Sequence, residues 1–390
     1  MAQRYTPTPD ERRALEQLAE EVAGVQRTLV ANHPKLTQPD RGAHQPQLGA
    51  GKVLLNVGEN LPPELDGLGI FKPTAGTPLI GIGRMSNGLG GPHAETEADF
   101  LGLMLAFRAA DGRRVDFITI NDPGAPTDTP KEFVALLKAT ADAAVGNDGA
   151  GLVNMLASQT RLLAGLARHA GPRAPAIATQ VIRQTARTTK SSTAYQQYWT
   201  GVVRARDVLG KFTFVPLHDV NEPRPSQAGD RYLTEDWTRR HAAGPLEFRL
   251  YWIRFLDEAR TPLKDLTRGW AEDHRIRVGT VKFPAADPAA LETKLVALLA
   301  TEMGANQGNW IEDDRDGDAP DLPATEYTAA RFLAYRVSQR MRNALPEAQY
   351  ASFFASGTIE PALAAELLKR YQQKRAAGHG APDVGALSPT

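Results

Sequence analysis

The arrangement of strand-like segments constrains the fold most, because these segments come in two groups that do not alternate regularly with helices. The first group predicts four strands, at residues 52–57, 78–84, 100–107 and 115–120. The second group predicts three strands, at residues 211–217, 246–255 and 274–282. Parallel sheets need long, usually helical crossovers between neighbouring strands. Grouped strands therefore predict an α+β fold in which an antiparallel sheet or barrel carries separate helices.

Helical periodicity marks both ends of the chain and the segment that follows the first strand group. Pro9 and Asp10 begin a helix whose apolar residues repeat at helical spacing through Leu29, and we interpret this helix as an appended arm. Pro130 begins a second helix, since proline is favoured at the first helical position. Three late helices are predicted at residues 291–299, 329–342 and 361–374.

The chain contains no fixed-period repeat and no low-complexity linker that would separate two domains. We expect an N-terminal helical arm at residues 1–32 and one central domain at residues 33–345. Residues 346–390 are expected to form a C-terminal helix and a flexible tail, because the last residues are rich in Gly and Pro. The segment 33–47 is rich in Pro, Gly and Gln and predicts a loop.

Composition excludes several classes of function. The 45 Lys and Arg residues balance the 45 Asp and Glu residues, which argues against broad binding of nucleic acid or anionic membranes. The absence of cysteine excludes disulfides, iron–sulfur clusters and thiolate metal sites. No apolar run is long enough to predict a membrane-spanning helix. The polar N-terminus lacks an apolar signal region, which predicts a cytoplasmic protein.

Two short segments contain residue types suited to chemistry at a metal-bearing cofactor. Arg41 precedes His44 by three residues, in the first predicted loop. Arg331 precedes Tyr335 by four residues on a late helix, and Arg342 follows that tyrosine by seven. Residues four apart on a helix share one face, so the Arg331 cation can stabilise a Tyr335 phenolate.

These spacings resemble those of the haem catalases and their diverged relatives, a group that includes catalase-like peroxidases and allene oxide synthases. In that family an Arg lies three residues before the distal His, and the proximal Tyr is flanked by Arg at the same two intervals. Five further segments resemble family landmarks in the same order, namely residues 83–88, 101–107, 116–123, 198–200 and 247–272. The resemblance extends from Arg41 to Arg342, which covers most of the chain.

The resemblance implies a catalase-like antiparallel β-barrel with peripheral helices, and it makes residues 33–345 a haem-binding domain. Haem b is the implied cofactor, with Tyr335 as the ligand of its iron and Arg331 as the partner of that tyrosine. Its propionates would be held by arginines, since a guanidinium can grip a carboxylate through two hydrogen bonds. The implied cofactor-binding residues are Arg41, Arg84, Phe133, Arg331, Tyr335 and Arg342.

On the open face of the haem, the resemblance implies that His44 is the acid–base residue and that Ser86 fixes its ring. A neutral imidazole can accept a proton from peroxide and return it to the departing oxygen. The family's distal Asn position falls on Ile120 when counted without gaps from Pro123, whereas a shift of one residue places Asn121 there. We take Asn121 as the candidate, and the sequence leaves both alignments open.

Departures from the family pattern favour a substrate larger than hydrogen peroxide. Ala125 and Pro126 stand where catalases have two adjacent phenylalanines, so a roomier pocket is expected. The expected function is peroxide-dependent oxidation of a small organic substrate, or conversion of an organic hydroperoxide, and it is compatible with residual catalase activity. The alternatives are a true hydrogen peroxide catalase and a non-catalytic barrel that binds an apolar small molecule. Family members often form dimers or tetramers, so a homo-oligomer is compatible with the resemblance.

Overall fold

The structure is a computed structural model that describes most of the 390 residues. The described ranges are 5–32, 38–44, 47–72, 76–88, 90, 93–97, 99–144, 152–185, 192–218, 228–309 and 324–376. Part of the predicted loop 33–47 and most of the predicted C-terminal tail lie outside these ranges.

Nine strands form the sheet of the described chain, and all of their pairings are antiparallel. They are β1 (Gln47–Val57), β2 (Leu79–Asn87), β3 (Leu101–Arg108), β4 (Arg114–Ile120), β5 (Tyr198–Thr200), β6 (Val203–Ala205), β7 (Val208–Pro216), β8 (Leu246–Arg254) and β9 (Ile276–Phe283). The seven strands predicted from the sequence are confirmed. The prediction missed β5 and β6, because three residues are too few to show a period of two.

The sheet closes on itself to form an eight-stranded barrel. Its order is β5-β4-β3-β2-β1-β9-β8-β7, and β7 pairs back with β5. The short strand β6 adds to the outer side of β7 through a hairpin. Closure removes the unpaired edges that an open sheet would expose. The predicted antiparallel β-barrel with separate helices is therefore confirmed.

Aromatic side chains fill the barrel interior, because alternate residues of each strand point inward. Phe117 on β4 lies at the centre of this packing, with its ring centroid 5.1 Å from that of Phe212 and 5.4 Å from that of Phe214. Phe107 on β3 approaches the same ring at 6.3 Å. All four side chains are buried, so the interior is a packed core that leaves the outer face for binding.

The helices lie outside the barrel. They are α1 (Pro9–Asn32), α2 (Pro130–Ala143), α3 (Leu152–Ala170), α4 (Ala174–Thr185), α5 (Tyr232–Ala243), α6 (Leu291–Glu302), α7 (Glu326–Met341), α8 (Phe353–Ser356) and α9 (Pro361–Ala376). The five helices predicted from the sequence are confirmed. In the described ranges, no helix is both long enough and apolar enough to cross a membrane.

The N-terminal helix, which we interpreted as an arm, packs against the rest of the same chain. Helix α1 contacts both α2 and α7. Its buried residues include Val22, Val25 and Leu29, which pack with Val134 and Leu137 of α2. This packing places α1, α2 and α7 together beside the barrel.

The outer face of β2, β3 and β4 forms the floor of a cavity that these helices cover. Ser86 on β2 pairs with Gly102 on β3, and Gly102 pairs with Ile120 on β4. These three residues project outward, on the opposite face from the inward residues Met85, Leu103 and Phe117. Ser86, the one of these three that was expected at the functional site, is therefore on the outer surface of the barrel.

Candidate active site

One cavity of about 190 Å³ lies between the barrel floor, helices α2 and α7, and the segment before β1. Eight of the nine predicted site residues line it, although they come from distant parts of the sequence. They are Arg41, His44, Arg84, Ser86, Phe133, Arg331, Tyr335 and Arg342. The ninth, Asn121, is not among the lining residues.

The backbone of His44 adopts a left-handed conformation that is unusual for a residue other than glycine, with φ of 56°. Its amide donates a 2.9 Å hydrogen bond to the carbonyl of Gly88. Its carbonyl accepts a 2.9 Å hydrogen bond from Arg84 Nη2. Such a conformation costs free energy and persists only where the surroundings impose it, which is common at functional sites.

The His44 ring rests directly on the backbone of β3. A Cβ atom at Gly102 would lie 2.6 Å from His44 Nδ1, so only glycine leaves room for the ring. Nδ1 is also 3.2 Å from Ser86 Oγ, which fixes the ring orientation. Burial lowers the pKa of His44 to about 4, and Arg84 and Arg331 act in the same direction. The imidazole is therefore neutral at pH 7.

Tyr335 reaches the cavity from α7. The helix begins with a capping box, in which the side chains of Thr325 and Thr328 hydrogen-bond reciprocally to each other's backbone amides. One turn before Tyr335, Arg331 Nη2 donates a 2.8 Å hydrogen bond to the phenol oxygen. Arg331 Nε is buried without a hydrogen-bond partner. Arg331 therefore places a permanent cation beside the phenol oxygen of Tyr335.

Three more arginines gather at one end of the cavity, close to the C-terminal end of α6. Arg41 Nη2 donates to the carbonyl of Thr301 at 2.7 Å, and Arg342 Nη2 donates to the carbonyl of Met303 at 2.6 Å. Arg84 Nε donates to Gln47 at 3.2 Å. Carbonyls at a helix C-terminus carry partial negative charge, so they stabilise these cations in part.

The arginine end of the cavity has more positive charge than its carboxylates balance. Burial and the nearby Arg41 lower the pKa of Arg342 to about 9, and the same two causes lower that of Arg84. The Asp40 carboxylate lies 3.8 Å from Arg41 Nη1, which is beyond hydrogen-bond distance. Arg41 Nη1 is buried without a hydrogen-bond partner. This end of the cavity is therefore suited to anionic groups on a ligand.

The described residues around the cavity fit a haem. In the ranges that the structure describes, no group of three His, Cys, Asp or Glu side chains could hold a metal. The fit rests on the phenol oxygen of Tyr335, the unpartnered Arg41 nitrogen for a carboxylate, and the apolar walls from Phe133 and Leu137.

The structure gives different surroundings to Asn121 and Ile120, the two candidates for the distal Asn position. Asn121 Oδ1 accepts a 2.8 Å hydrogen bond from the amide of Leu101, and the residue is buried beside the strand end. Ile120 lines the cavity and pairs with Gly102, the residue beneath the His44 ring. The structure therefore places Ile120, and not Asn121, among the residues that line the cavity. The catalytic role of Asn121 stays a prediction.

Gly102 and Lys211 are among the cavity residues that were not predicted from the sequence. Gly102 is a glycine inside an apolar strand, a pattern that can indicate close approach of another group. Lys211 is a charged residue at the start of an otherwise apolar strand, and it is only 4% exposed. Both patterns are visible in the sequence, but neither pattern specifies which part of the chain packs against Gly102 or Lys211.

Comparisons with known proteins agree on the fold. No protein-family model matches the sequence, and no curated protein matches it. Among solved structures, the chain resembles a fungal catalase with a TM-score of 0.58 and 16% identity, covering 78% of this chain and 59% of that one. A bacterial catalase aligns with a TM-score of 0.56 and 17% identity, covering 79% and 58%.

Catalase A from Saccharomyces cerevisiae gives a similar result, with a TM-score of 0.58 and 15% identity. That alignment covers 79% of this chain and 62% of the yeast enzyme. The chain thus spans about three fifths of the length of the catalases it resembles. At such low identity the likeness establishes architecture alone, and this chain has the catalase fold.

Proposed function

We propose that this protein is a haem-dependent oxidoreductase that uses peroxide, and that it oxidises a small organic substrate or converts an organic hydroperoxide. One observation carries the proposal. The Arg331–Tyr335 pair and the His44–Ser86 pair face the same apolar cavity from different elements, α7 on one side and the barrel on the other. The catalase fold supports this assignment.

The haem would be held by Tyr335 and by the arginines of the cavity. Tyr335 would be the iron ligand, with Arg331 stabilising its phenolate by charge and by a hydrogen bond. Arg41, Arg84 and Arg342 would hold the two propionates, which would offset their excess positive charge. A bound haem would supply an iron with an open coordination position and the capacity to cleave the peroxide O–O bond.

His44 would transfer a proton from the peroxide to the departing oxygen. The Ser86 hydroxyl can accept a hydrogen bond from Nδ1–H, which leaves the Nε2 lone pair free to take a proton from peroxide. With a pKa of about 4, the ring is already neutral at pH 7 and needs no prior deprotonation. His44 can then return the proton to the departing oxygen, so Nε2 serves as base and then as acid.

An organic substrate is favoured by the side chains around His44. Ile118, Ile120, Ala125 and Pro126 line the cavity, so apolar groups surround the place where peroxide would bind. A polar side chain at position 120 could orient hydrogen peroxide, whereas isoleucine can only exclude water and pack against carbon. This composition favours a hydroperoxide with an apolar body over hydrogen peroxide itself.

The test is the visible spectrum of the purified protein and of two tyrosine variants. We expect the wild type to show a Soret band with high-spin ferric features and no thiolate signature. Tyr335→Phe should weaken haem binding by more than the ~10–100-fold typical of changes around a metal ligand, because it removes the ligand itself. Tyr371→Phe is the matched control, since Tyr371 is also a buried tyrosine on a helix but does not line the cavity.

Each outcome separates the candidate functions. Haem binding of normal strength in Tyr335→Phe would show that the proximal assignment is wrong. A wild-type protein that stays colourless after haem is supplied would leave the non-catalytic barrel as the better description. Rapid oxygen release from hydrogen peroxide without a co-substrate would identify a true catalase, whereas turnover only with an organic co-substrate or hydroperoxide supports our proposal.

A further inference from the structure

The C-terminal helix α9 packs against α6, the helix whose end lies beside the arginine end of the cavity. Leu363, Leu367 and Tyr371 of α9 belong to one buried apolar cluster with Leu295 and Leu299 of α6. The three α9 residues are spaced by four and therefore share one face of that helix. This apolar contact holds α9 against α6.

Two cations on α9 reach one buried carboxylate at the end of α6. Glu302 is the last residue of α6 and is only 4% exposed. Its carboxylate lies 2.5 Å from Lys374 Nζ and 3.5 Å from Arg370 Nη1. Lys374 and Arg370 are four residues apart, so they project from the same side of α9. Since a buried carboxylate is costly without a cation, α9 supplies the positive charge that Glu302 requires.

Arg370 also holds the turn that follows Arg342. Its Nη1 atom donates a 2.7 Å hydrogen bond to the carbonyl of Asn343, whose backbone is left-handed with φ of 51°. In the same turn, the amide of Leu345 donates a 2.9 Å hydrogen bond to the carbonyl of Glu302. Arg370 thus connects the end of α6 to the turn after α7, on which Arg342 lies.

The charge of Lys374 acts on two carboxylates that lie near the cavity arginines. Burial alone would raise the pKa of Asp40, but Arg41 and Lys374 lower it. Burial lowers the pKa of Arg342 to about 9, and Glu302 is one of the charges that oppose this shift. Asp40 and Glu302 are therefore close enough to compete with a ligand anion for Arg41 and Arg342, and Lys374 offsets part of their charge.

We propose that the ion pair between Lys374 and Glu302 controls how strongly the cavity arginines bind the anionic groups of a ligand. Lys374 is then a positioning residue, which acts through Glu302 and does not line the cavity. Without Lys374, the Glu302 carboxylate would attract Arg342 and repel the ligand's carboxylates. The inference gives α9 a role in binding, and it rests on the proposed function only for the identity of the ligand.

Protoporphyrin IX and its dimethyl ester test the proposal, because they differ in charge only at the two propionates and neither needs an iron ligand. Porphyrin fluorescence reports binding to the full chain, which is produced in cells that make no haem. We expect the wild type to bind the free acid at least ~10-fold more tightly than the ester. Lys374→Met should weaken binding of the free acid by ~10-fold and leave the ester unchanged. Lys369→Met is the control on the same helix, since Lys369 is 65% exposed and its carboxylate neighbour is Glu366 of α9.

A substitution at Glu302 gives an effect of the opposite sign, which damage to the fold would not produce. Glu302→Gln alone removes a negative charge near Arg342, so the free acid should bind at least as tightly as it does to the wild type. Lys374→Met combined with Glu302→Gln should restore the affinity that Lys374→Met loses, because the two opposite charges are removed together. A denaturant titration of each variant checks that it is folded.

Three results would overturn the inference. The first is a wild type that binds the ester as tightly as the free acid, a comparison that needs no variant. The second is a Lys374→Met protein that loses acid and ester equally, which would mean that Lys374 only supports the fold. The third is a double variant that binds the free acid as weakly as Lys374→Met does, since the Glu302 charge would then not be the cause of the loss.

The experiment also distinguishes failure of the inference from failure of the proposed function. A protein that shows the expected changes in porphyrin affinity, but no peroxide turnover once haem is supplied, would retain the role of Lys374 and reject the peroxide chemistry. A haem protein that consumes peroxide, but whose affinity for the free acid is unchanged by Lys374→Met, would retain the chemistry and reject the role of Lys374.

Discussion

In open solution an imidazole such as that of His44 titrates near pH 6.5, whereas in this cavity its pKa falls to about 4. The shift comes first from burial and then from the neighbouring arginines. The backbone at φ 56° and the contact with Ser86 Oγ fix where the ring points. At the scale of single residues, therefore, the chemistry of His44 is created by the residues that enclose it.

A substitution at Gly102 tests whether the chemistry of His44 depends on the residues that enclose it. We predict that Gly102→Ala leaves the barrel folded but lowers peroxide turnover by on the order of 100-fold, since a displacement of ~1 Å near the chemistry can cost that much. The new Cβ would lie 2.6 Å from His44 Nδ1 and 3.1 Å from Ser86 Oγ. Steady-state turnover measured alongside the Soret spectrum would separate a displaced His44 from lost cofactor.

Gly229→Ala is the control for this substitution, because no atom lies within 4 Å of a Cβ built at that position. Turnover of Gly102→Ala equal to that of the control would mean that the His44 ring does not need this floor.

At the scale of elements, helix α7 determines whether Arg331 and Tyr335 meet. Their spacing of four residues puts both on one face, and the 2.8 Å hydrogen bond follows from that geometry. The start of the helix depends on its cap, in which Thr325 Oγ1 accepts from the amide of Thr328 at 3.2 Å. Loss of the cap would fray the turn just before Arg331.

We predict that Thr325→Ala lowers the free energy of unfolding by ~1 kcal/mol, the usual cost of losing an N-cap side chain. Haem release should become faster in the same variant, because Tyr335, the proposed iron ligand, lies on this helix. Thr325→Ser retains the hydroxyl and should behave like the wild type in both measurements. If denaturant unfolding and haem release match in all three proteins, the cap does not support the site.

At the scale of the whole molecule, the two faces of the barrel have different roles. The inner face stabilises the fold, and the outer face carries the cavity. Its interior is packed with aromatic rings around Phe117, whereas its outer face carries Ser86, Gly102 and Ile120 at the cavity. Because inward and outward residues alternate along each strand, a register shift of one residue would exchange the two sets. The packed core thereby holds the floor of the cavity in place.

We predict that Phe117→Ala lowers the free energy of unfolding by about 3–5 kcal/mol, the range for removing a fully buried phenylalanine. The cost should be large because Phe117 packs against Phe107, Phe212 and Phe214. Leu163→Ala, at a side chain that is 50% exposed, should change it by less than ~0.5 kcal/mol. Equal unfolding midpoints for the two variants in a denaturant titration would contradict a single packed core in the barrel.

The sequence determined the local pattern of this protein. Strand and helix periodicity predicted seven strands and five helices, because side-chain alternation is a property of neighbouring residues. The spacing of Arg331 and Tyr335 likewise predicted their contact, since both lie on one helix. The placement of eight candidate residues around one cavity agrees with a resemblance that rests on short motifs.

Only the tertiary structure decided contacts between residues far apart in the chain. It placed Ile120 rather than Asn121 in the cavity, because barrel register fixes which side of a strand end faces outward. It joined β7 to β5, and so brought Lys211 into the cavity that holds His44. Closing these long loops depends on packing over the whole barrel, which no local pattern in the sequence encodes.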